Sequence, residues 1–148
     1  MEGTKKLFPI LIAEDDPDDR LIIHDAFEEA GMHHAVHYVE DGQELMDYLC
    51  LRGKYSWPNH SPRPGIILLD LNMPKKNGQD ALSEIKSDPS LKRIPVIVMT
   101  TSKRDEDIGF LYDLGANSYI HKPTDFATLV TIVKTLSRYW FEIVELPS

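Results

Sequence analysis

Apolar runs of strand length alternate along the chain with segments of helical period, and five such pairs fit. Alternation of that kind is the pattern of repeated βα units closing a parallel sheet. The first run spans Leu7 to Ala13. Asp16 then stands as an N-cap and Pro17 at the first helical position, where a missing N–H does no harm. Leu21, Ile22, Ala26, Phe27 and Ala30 mark one helical face, and Gly31 stops the helix. A short second strand, Ala35 to Val39, leads through Asp41 and Gly42 into a helix carrying Leu45, Met46, Tyr48 and Leu49 that ends at Gly53. Lys54 to Gly65 holds Pro58, Pro62 and Pro64; it is too rich in proline for a helix and reads as a long surface loop.

Ile66 to Leu71 is continuously apolar apart from Asp70, which is how a central strand covered on both faces reads. Pro74 stops it, and Asn77 and Gly78 turn the chain into a helix with Ala81, Leu82 and Ile85. Pro89 and Pro95 bracket the return to a fourth strand, Val96 to Met99, closed by Thr100, Thr101 and Ser102. A helix with Ile108, Leu111 and Tyr112 ends at Gly115, and a fifth strand from Ser118 to His121 ends at Lys122 and Pro123. The last helix starts near Thr124 or Asp125, turns Phe126, Leu129, Val130 and Val133 inward and runs towards Trp140. Ile132, Leu136, Tyr139 and Ile143 recur at helical spacing on a second side. The expected fold is a doubly wound α/β sheet of five parallel strands, order 2-1-3-4-5, with helices on both faces.

A length of 148 residues with 42% apolar content suits one domain over 1–148, with the last helix and tail at about 124–148. The net charge of −8, from 24 acids against 16 Lys and Arg, argues against a nucleic-acid partner. Cys50 is the single cysteine, so no internal disulfide can form, and no basic leader with an apolar stretch opens the chain; a cytoplasmic location is expected. The longest apolar stretches fall far short of the ~18 residues that span a bilayer, so no membrane segment is expected.

The chemistry rests on where the charged residues fall. With strand order 2-1-3-4-5 the first and third strands are neighbours, so Glu14, Asp15 and Asp70 gather at one carboxyl edge. Two like charges ~4 Å apart repel by roughly 4 kcal/mol at an effective dielectric near 20, so such a cluster either holds a proton or binds a cation. Oxygen ligands on a partly open edge suit Mg²⁺, with Asp15 and Asp70 as direct ligands and Glu14 in the outer shell. Lys122 lies two strands from Asp70, about 10 Å by the ~4.8 Å strand spacing, and Thr100 stands between them. A carboxylate, a metal, a hydroxyl and an ammonium converging on one volume suit a phosphoryl group, with the carboxylate as nucleophile.

Glu14-Asp15 after one strand, Asp70 within Leu-Leu-Asp-Leu-Asn-Met-Pro, Thr100 and Lys122-Pro123 together resemble the receiver domain of two-component response regulators, over nearly the whole chain. The resemblance implies a flavodoxin-like fold in which Asp70 accepts phosphate from a sensor histidine kinase. It implies Mg²⁺ on Asp15, Asp70 and the backbone carbonyl of Asn72, and a cis peptide at Lys122–Pro123. It further implies that Thr100 hydrogen-bonds a phosphoryl oxygen while Tyr119 turns inward, and that Asn72 and Ser102 tune dephosphorylation. The proline-rich loop and the terminal Tyr-Trp-Phe-Glu-Ile-Val-Glu-Leu-Pro resemble stand-alone regulators paired with bacterial phytochrome kinases. Such a module is expected to act by binding something or by passing the phosphate on, and the expected binding is a homodimer through the face of the fourth helix, fifth strand and fifth helix. It catalyses only its own phosphorylation and dephosphorylation and is no enzyme towards an external substrate.

Other readings compete for the same residues. Asp16, Asp18 and Asp19 suffice as a helix cap and dipole complement. His24, His33, His34, His37, His60 and His121 show no metal-ligand spacing and read as structural or surface residues. A flavin-binding carrier needs a phosphate loop of small residues after the first strand, where this chain has five acids between Glu14 and Asp19. An aspartyl phosphatase places a second acid two residues beyond its nucleophile, where this chain has Asn72. A receiver-like interaction module that works without phosphorylation is the remaining alternative.

Overall fold

The structure, a computed structural model, describes residues 9–32, 36–58, 62–71, 73, 75–101 and 105–147, with 105–107 as backbone alone. Five strands, β1 (Ile10–Ala13), β2 (Val36–Val39), β3 (Ile66–Leu69), β4 (Val96–Thr100) and β5 (Ser118–His121), form one sheet in the order β2-β1-β3-β4-β5. Every neighbouring pair is parallel, as the βα alternation requires. Among the described residues five α-helices connect and follow them: α1 (Pro17–Glu29), α2 (Gly42–Cys50), α3 (Gly78–Ser87), α4 (Asp105–Asp113) and α5 (Phe126–Arg138).

Side chains along a strand point alternately to its two faces, so the central strands feed two cores. Leu11, Ala13, Ile67, Leu69, Val96 and Val98 pack beneath α2, α3 and α4 through Leu45, Met46, Leu82, Ile85 and Leu111. Ile10, Ile12, Ile66, Leu68, Ile97 and Met99 pack beneath α1 and α5 through Ile23, Phe27, Leu129 and Val133. Burying one such branched side chain contributes roughly 1.5–3 kcal/mol, so these two layers dominate the stability and hold the strand ends in register.

Helix starts follow local chemistry. Asp16, Asp41, Asn77 and Asp125 cap α1, α2, α3 and α5 by accepting from the backbone N–H of Asp18, Glu44, Asp80 and Thr128. Two inward faces differ from the sequence expectation. Leu21 and Ile22 are exposed, and Ile23 takes their place beside the expected Ala26, Phe27 and Ala30, a set at i, i+3, i+4 and i+7. In α5, Phe126 is exposed, whereas Ile132 and Leu136 lean on the core. Of the expected second apolar side, Tyr139 and Ile143 remain exposed, on a π turn (Tyr139–Ile143) that continues α5.

The loop after α2 begins with a 3-10 turn (Gly53–Tyr55) fastened to that helix. Tyr55 donates its hydroxyl to Glu44 at 2.6 Å, Lys54 pairs with Glu44 at 2.8 Å, and Tyr48 donates to the Pro62 carbonyl at 3.1 Å. Leu7, Phe8, His33, His34, Ala35, His60, Pro74 and Ser102 lie outside the described residues. Among the described residues no helix is long and apolar enough to cross a membrane.

Candidate functional site

Glu14, Asp70 and Lys122 each stand one position past the end of a strand, with their backbones still held. Glu14 donates its N–H to Val39 at 3.0 Å, Asp70 to Ala13 at 3.0 Å, and Lys122 to Thr100 at 2.7 Å. Their side chains therefore project from fixed points at one carboxyl edge. Thr100, the last residue of β4, is buried beside them and pairs across the ladder with His121. Tyr119 on β5 pairs with Val98 and packs, half-buried, against the core under α2–α4.

The Lys122 ammonium is the centre of this edge. Its Nζ lies 2.7 Å from Glu14 Oε1, 3.2 Å from Asp19 Oδ2 and 3.5 Å from Asp70 Oδ2. Glu14 is 2% exposed and Asp70 8%, so both carboxyls sit largely out of water. Burial is the largest influence on Glu14 and raises its pKa; the hydrogen bond from Lys122 pulls it down, Asp70's charge raises it again, and it settles at about 7. For Lys122, burial opposes the charged form, but the hydrogen bond to Glu14 and the charges of Asp70 and Glu14 outweigh it and hold the lysine above its ordinary value.

Glu14, Asp15 and Asp70 each bring a carboxylate oxygen within 4.8 Å of the others, and Asp15 is more open to solvent than its two neighbours. An all-oxygen trio with one open side, in which a buried carboxyl is already pushed towards protonation, fits a hard divalent cation. The donors suit Mg²⁺ or Mn²⁺ and lack the nitrogen and sulfur that zinc sites favour.

Asp16 and Asp18 stay at the start of α1 as cap and first-turn acid. Asp19 does more than complement the dipole, because it reaches Lys122. Asn72 lies outside the described residues. The cis expectation at Lys122–Pro123 is corrected: among the described residues the cis bond is Trp57–Pro58. Lys122–Pro123 is trans, the intrinsic preference of an X–Pro bond by about 0.5–1 kcal/mol.

Two glycines hold the segment after Asp70. A Cβ on Gly78 would lie 2.6 Å from the Asp70 carbonyl and 2.7 Å from Leu71 Cα, and one on Gly42 would lie 2.0 Å from the Lys76 carbonyl. Gly78 and Gly42 also donate their N–H groups to Leu71 at 3.0 Å and to Lys76 at 2.9 Å. Because the obstructing atoms are backbone, Gly78→Ala must push the Asp70 segment away. We expect a loss of roughly 1–3 kcal/mol in urea unfolding together with weaker metal binding. Wild-type values on both counts would show that the segment yields freely.

The family model described as response regulator receiver domain matches residues 10–134. Response regulator Rcp1 of Synechocystis sp. is 39% identical over 139 residues, 94% of this chain and 92% of the relative. The crystal structure of the phosphorylated cyanobacterial phytochrome response regulator RcpA superposes with a TM-score of 0.87 at 43% identity, covering 97% of this chain and 100% of that one. The Mn²⁺-bound form of Rcp1 superposes with a TM-score of 0.85 at 38% identity, covering 95% and 99%.

Proposed function

The chain belongs to the response regulator receiver domain family, and from that membership we propose that it is a phosphorylation switch whose acceptor is Asp70. The supporting observation is the Lys122 ammonium placed among Glu14, Asp19 and Asp70 at the carboxyl edge of the sheet. An Asp70 carboxylate oxygen attacks the phosphorus of a phosphohistidine on a sensor histidine kinase, the P–N bond breaks, and the imidazole leaves with its electron pair. Asp15 and Asp70, with Glu14 behind them and the Asn72 carbonyl, would hold Mg²⁺, which when bound neutralises charge on the transferring oxygens.

Lys122 supplies the second positive charge. Its ammonium sits 3.5 Å from the acceptor carboxylate and exchanges that contact for a phosphoryl oxygen once Asp70 is modified. Thr100 donates its hydroxyl to another phosphoryl oxygen, and the displacement is passed to Tyr119 one strand over. Beside the acids a cleft of about 350 Å³, lined in part by Ile22, Met99, Phe126 and Leu129, offers an apolar rim for the helix that carries the donor histidine. The similarity to the cyanobacterial phytochrome response regulator RcpA supports a bacteriophytochrome as the kinase.

The output we propose is a homodimer through α4, β5 and α5. Phe110 and Tyr112 on α4 and Tyr139 and Ile143 after α5 are large apolar side chains left exposed. Treating the full chain with acetyl phosphate, with Mg²⁺ or with EDTA, tests the whole reading. Intact-mass measurement should register one added phosphoryl group with Mg²⁺ only, and gel filtration should show a larger species in that sample. No added mass under either condition would favour a phosphorylation-independent interaction module instead. Mass gain with an unchanged monomer would remove the dimer alone.

A further inference from the structure

The turn between β1 and α1 carries Glu14 and Asp15 yet lies in neither element, so something outside the regular ladders must fix it. Arg20, in the first turns of α1, folds back over it. Its Nη1 donates to the Glu14 carbonyl at 2.8 Å and to the Asp15 carbonyl at 3.1 Å, while Nη2 faces Glu40 Oε1 at 3.4 Å. The same turn is held from its other sides: the Glu14 N–H goes to Val39, and the Glu14 carboxylate accepts from Asp16 N at 3.3 Å. Nη1 carries two N–H donors whose directions the planar guanidinium fixes, so it serves both consecutive carbonyls while Nη2 stays turned to Glu40.

The sign of the charge makes this informative. Arg20 places a cation beside a cluster suited to a divalent metal, which by electrostatics alone disfavours the ion. Its contacts are to backbone carbonyls, and those contacts hold Glu14 and Asp15 where their carboxylates come within 4.8 Å of Asp70's. We propose that Arg20 is a positioning residue of the metal site, fixing the backbone of Glu14 and Asp15 so that their carboxylates meet Asp70 before the ion arrives. This rests on the reading above that these acids hold Mg²⁺. Groups that orient the ligands of a metal site commonly change affinity by about 10–100-fold when removed.

The test is titration calorimetry of the full-length chain with Mg²⁺ and with Mn²⁺, well below the melting temperature of each variant. Arg20→Gln should bind both ions on the order of ten-fold more weakly than wild type, although it removes a repelling charge. Arg20→Lys keeps the charge on a shorter side chain without the planar donors, and should fall between them. Glu40→Gln breaks the exposed ion pair while leaving both carbonyl contacts, and should stay within about three-fold of wild type. Equal or tighter binding by Arg20→Gln overturns the proposal, because charge removal without loss of positioning produces that result. Should Arg20→Gln fail to fold, Arg20→Lys decides: wild-type affinity there overturns it equally. Absence of binding by wild type itself overturns the metal reading and is recognised before any variant is compared.

Discussion

Asp70→Asn is expected to take up no phosphoryl group from acetyl phosphate or from a kinase, at any Mg²⁺ concentration, while keeping its fold. The amide matches the acid in shape, so the cores on either face of β3 need not adjust. It lacks the nucleophilic oxygen anion, however, and it exchanges one of the three carboxylates of the metal cluster for a neutral amide, a weaker ligand for a cation. Asp15→Asn separates these two losses. That variant leaves Asp70 intact and takes only one negative charge from the metal cluster, so its phosphorylation should fall at low Mg²⁺ and recover in part as the ion is raised. Intact-mass time courses across a Mg²⁺ series read the difference directly. An Asp70→Asn protein that gains the same mass as wild type would move the acceptor elsewhere; equal behaviour of the two variants at high Mg²⁺ would mean that Asp70 acts only as a ligand.

The sheet and its strand order were legible because continuous apolar runs, each ended by a charged or hydroxyl residue, alternate with capped helices; connecting parallel strands leaves few other topologies. Individual helix faces were less so. Leu21 and Ile22 are apolar and yet exposed on α1, which the one-way rule of burial permits: apolar residues fill the core, but the core does not claim all of them. Nothing in Tyr-Trp-Phe-Glu-Ile marks the π turn that extends α5, since its backbone pattern depends on how Phe141 reaches the core beside α1.

The acids of the site were legible for a topological reason. In a doubly wound sheet the residues just after neighbouring strands must share an edge, so Glu14, Asp70 and Lys122 meet even though 108 positions separate the first from the last. What stayed hidden depends on distances that spacing does not encode. Asp19 was already accounted for as a helix-dipole partner, which concealed its contact with Lys122. Arg20 acts on backbone carbonyls, and carbonyls carry no sequence signature. Gly78 is required by an obstruction from the Asp70 carbonyl, visible only once β3 and α3 are placed.

Lys122→Ala should uncouple the site from its output and change how the metal-free protein responds to pH. The ammonium offsets the charge of Glu14, Asp19 and Asp70 together, so its loss leaves a buried carboxyl facing other acids. Leaving a buried charge unpaired can cost about 3–5 kcal/mol, but Glu14 has an escape, because its carboxyl already stands at about 7 and can take up a proton. We therefore expect a smaller loss at neutral pH, roughly 1–3 kcal/mol, read as several degrees in thermal melts. The sign with pH follows from linkage. A carboxyl whose folded pKa lies above its unfolded value of 4.5 makes the folded state the stronger proton binder, so its contribution is fully present below 4.5 and is lost as pH rises through the folded value. Removing Lys122 takes away the hydrogen bond that lowers Glu14, which carries the upper end of that window above 7. In EDTA, the variant should melt at a lower temperature at pH 8 than at pH 6, by a margin larger than wild type shows. Adding Mg²⁺ should recover stability, since the acids that hold it remain. Phosphorylation should be slow, and the phosphorylated variant should elute as a monomer, because the ammonium that would follow the phosphoryl oxygen is gone. Normal dimerisation of that phosphorylated variant would place the coupling on Thr100 and Tyr119 without Lys122.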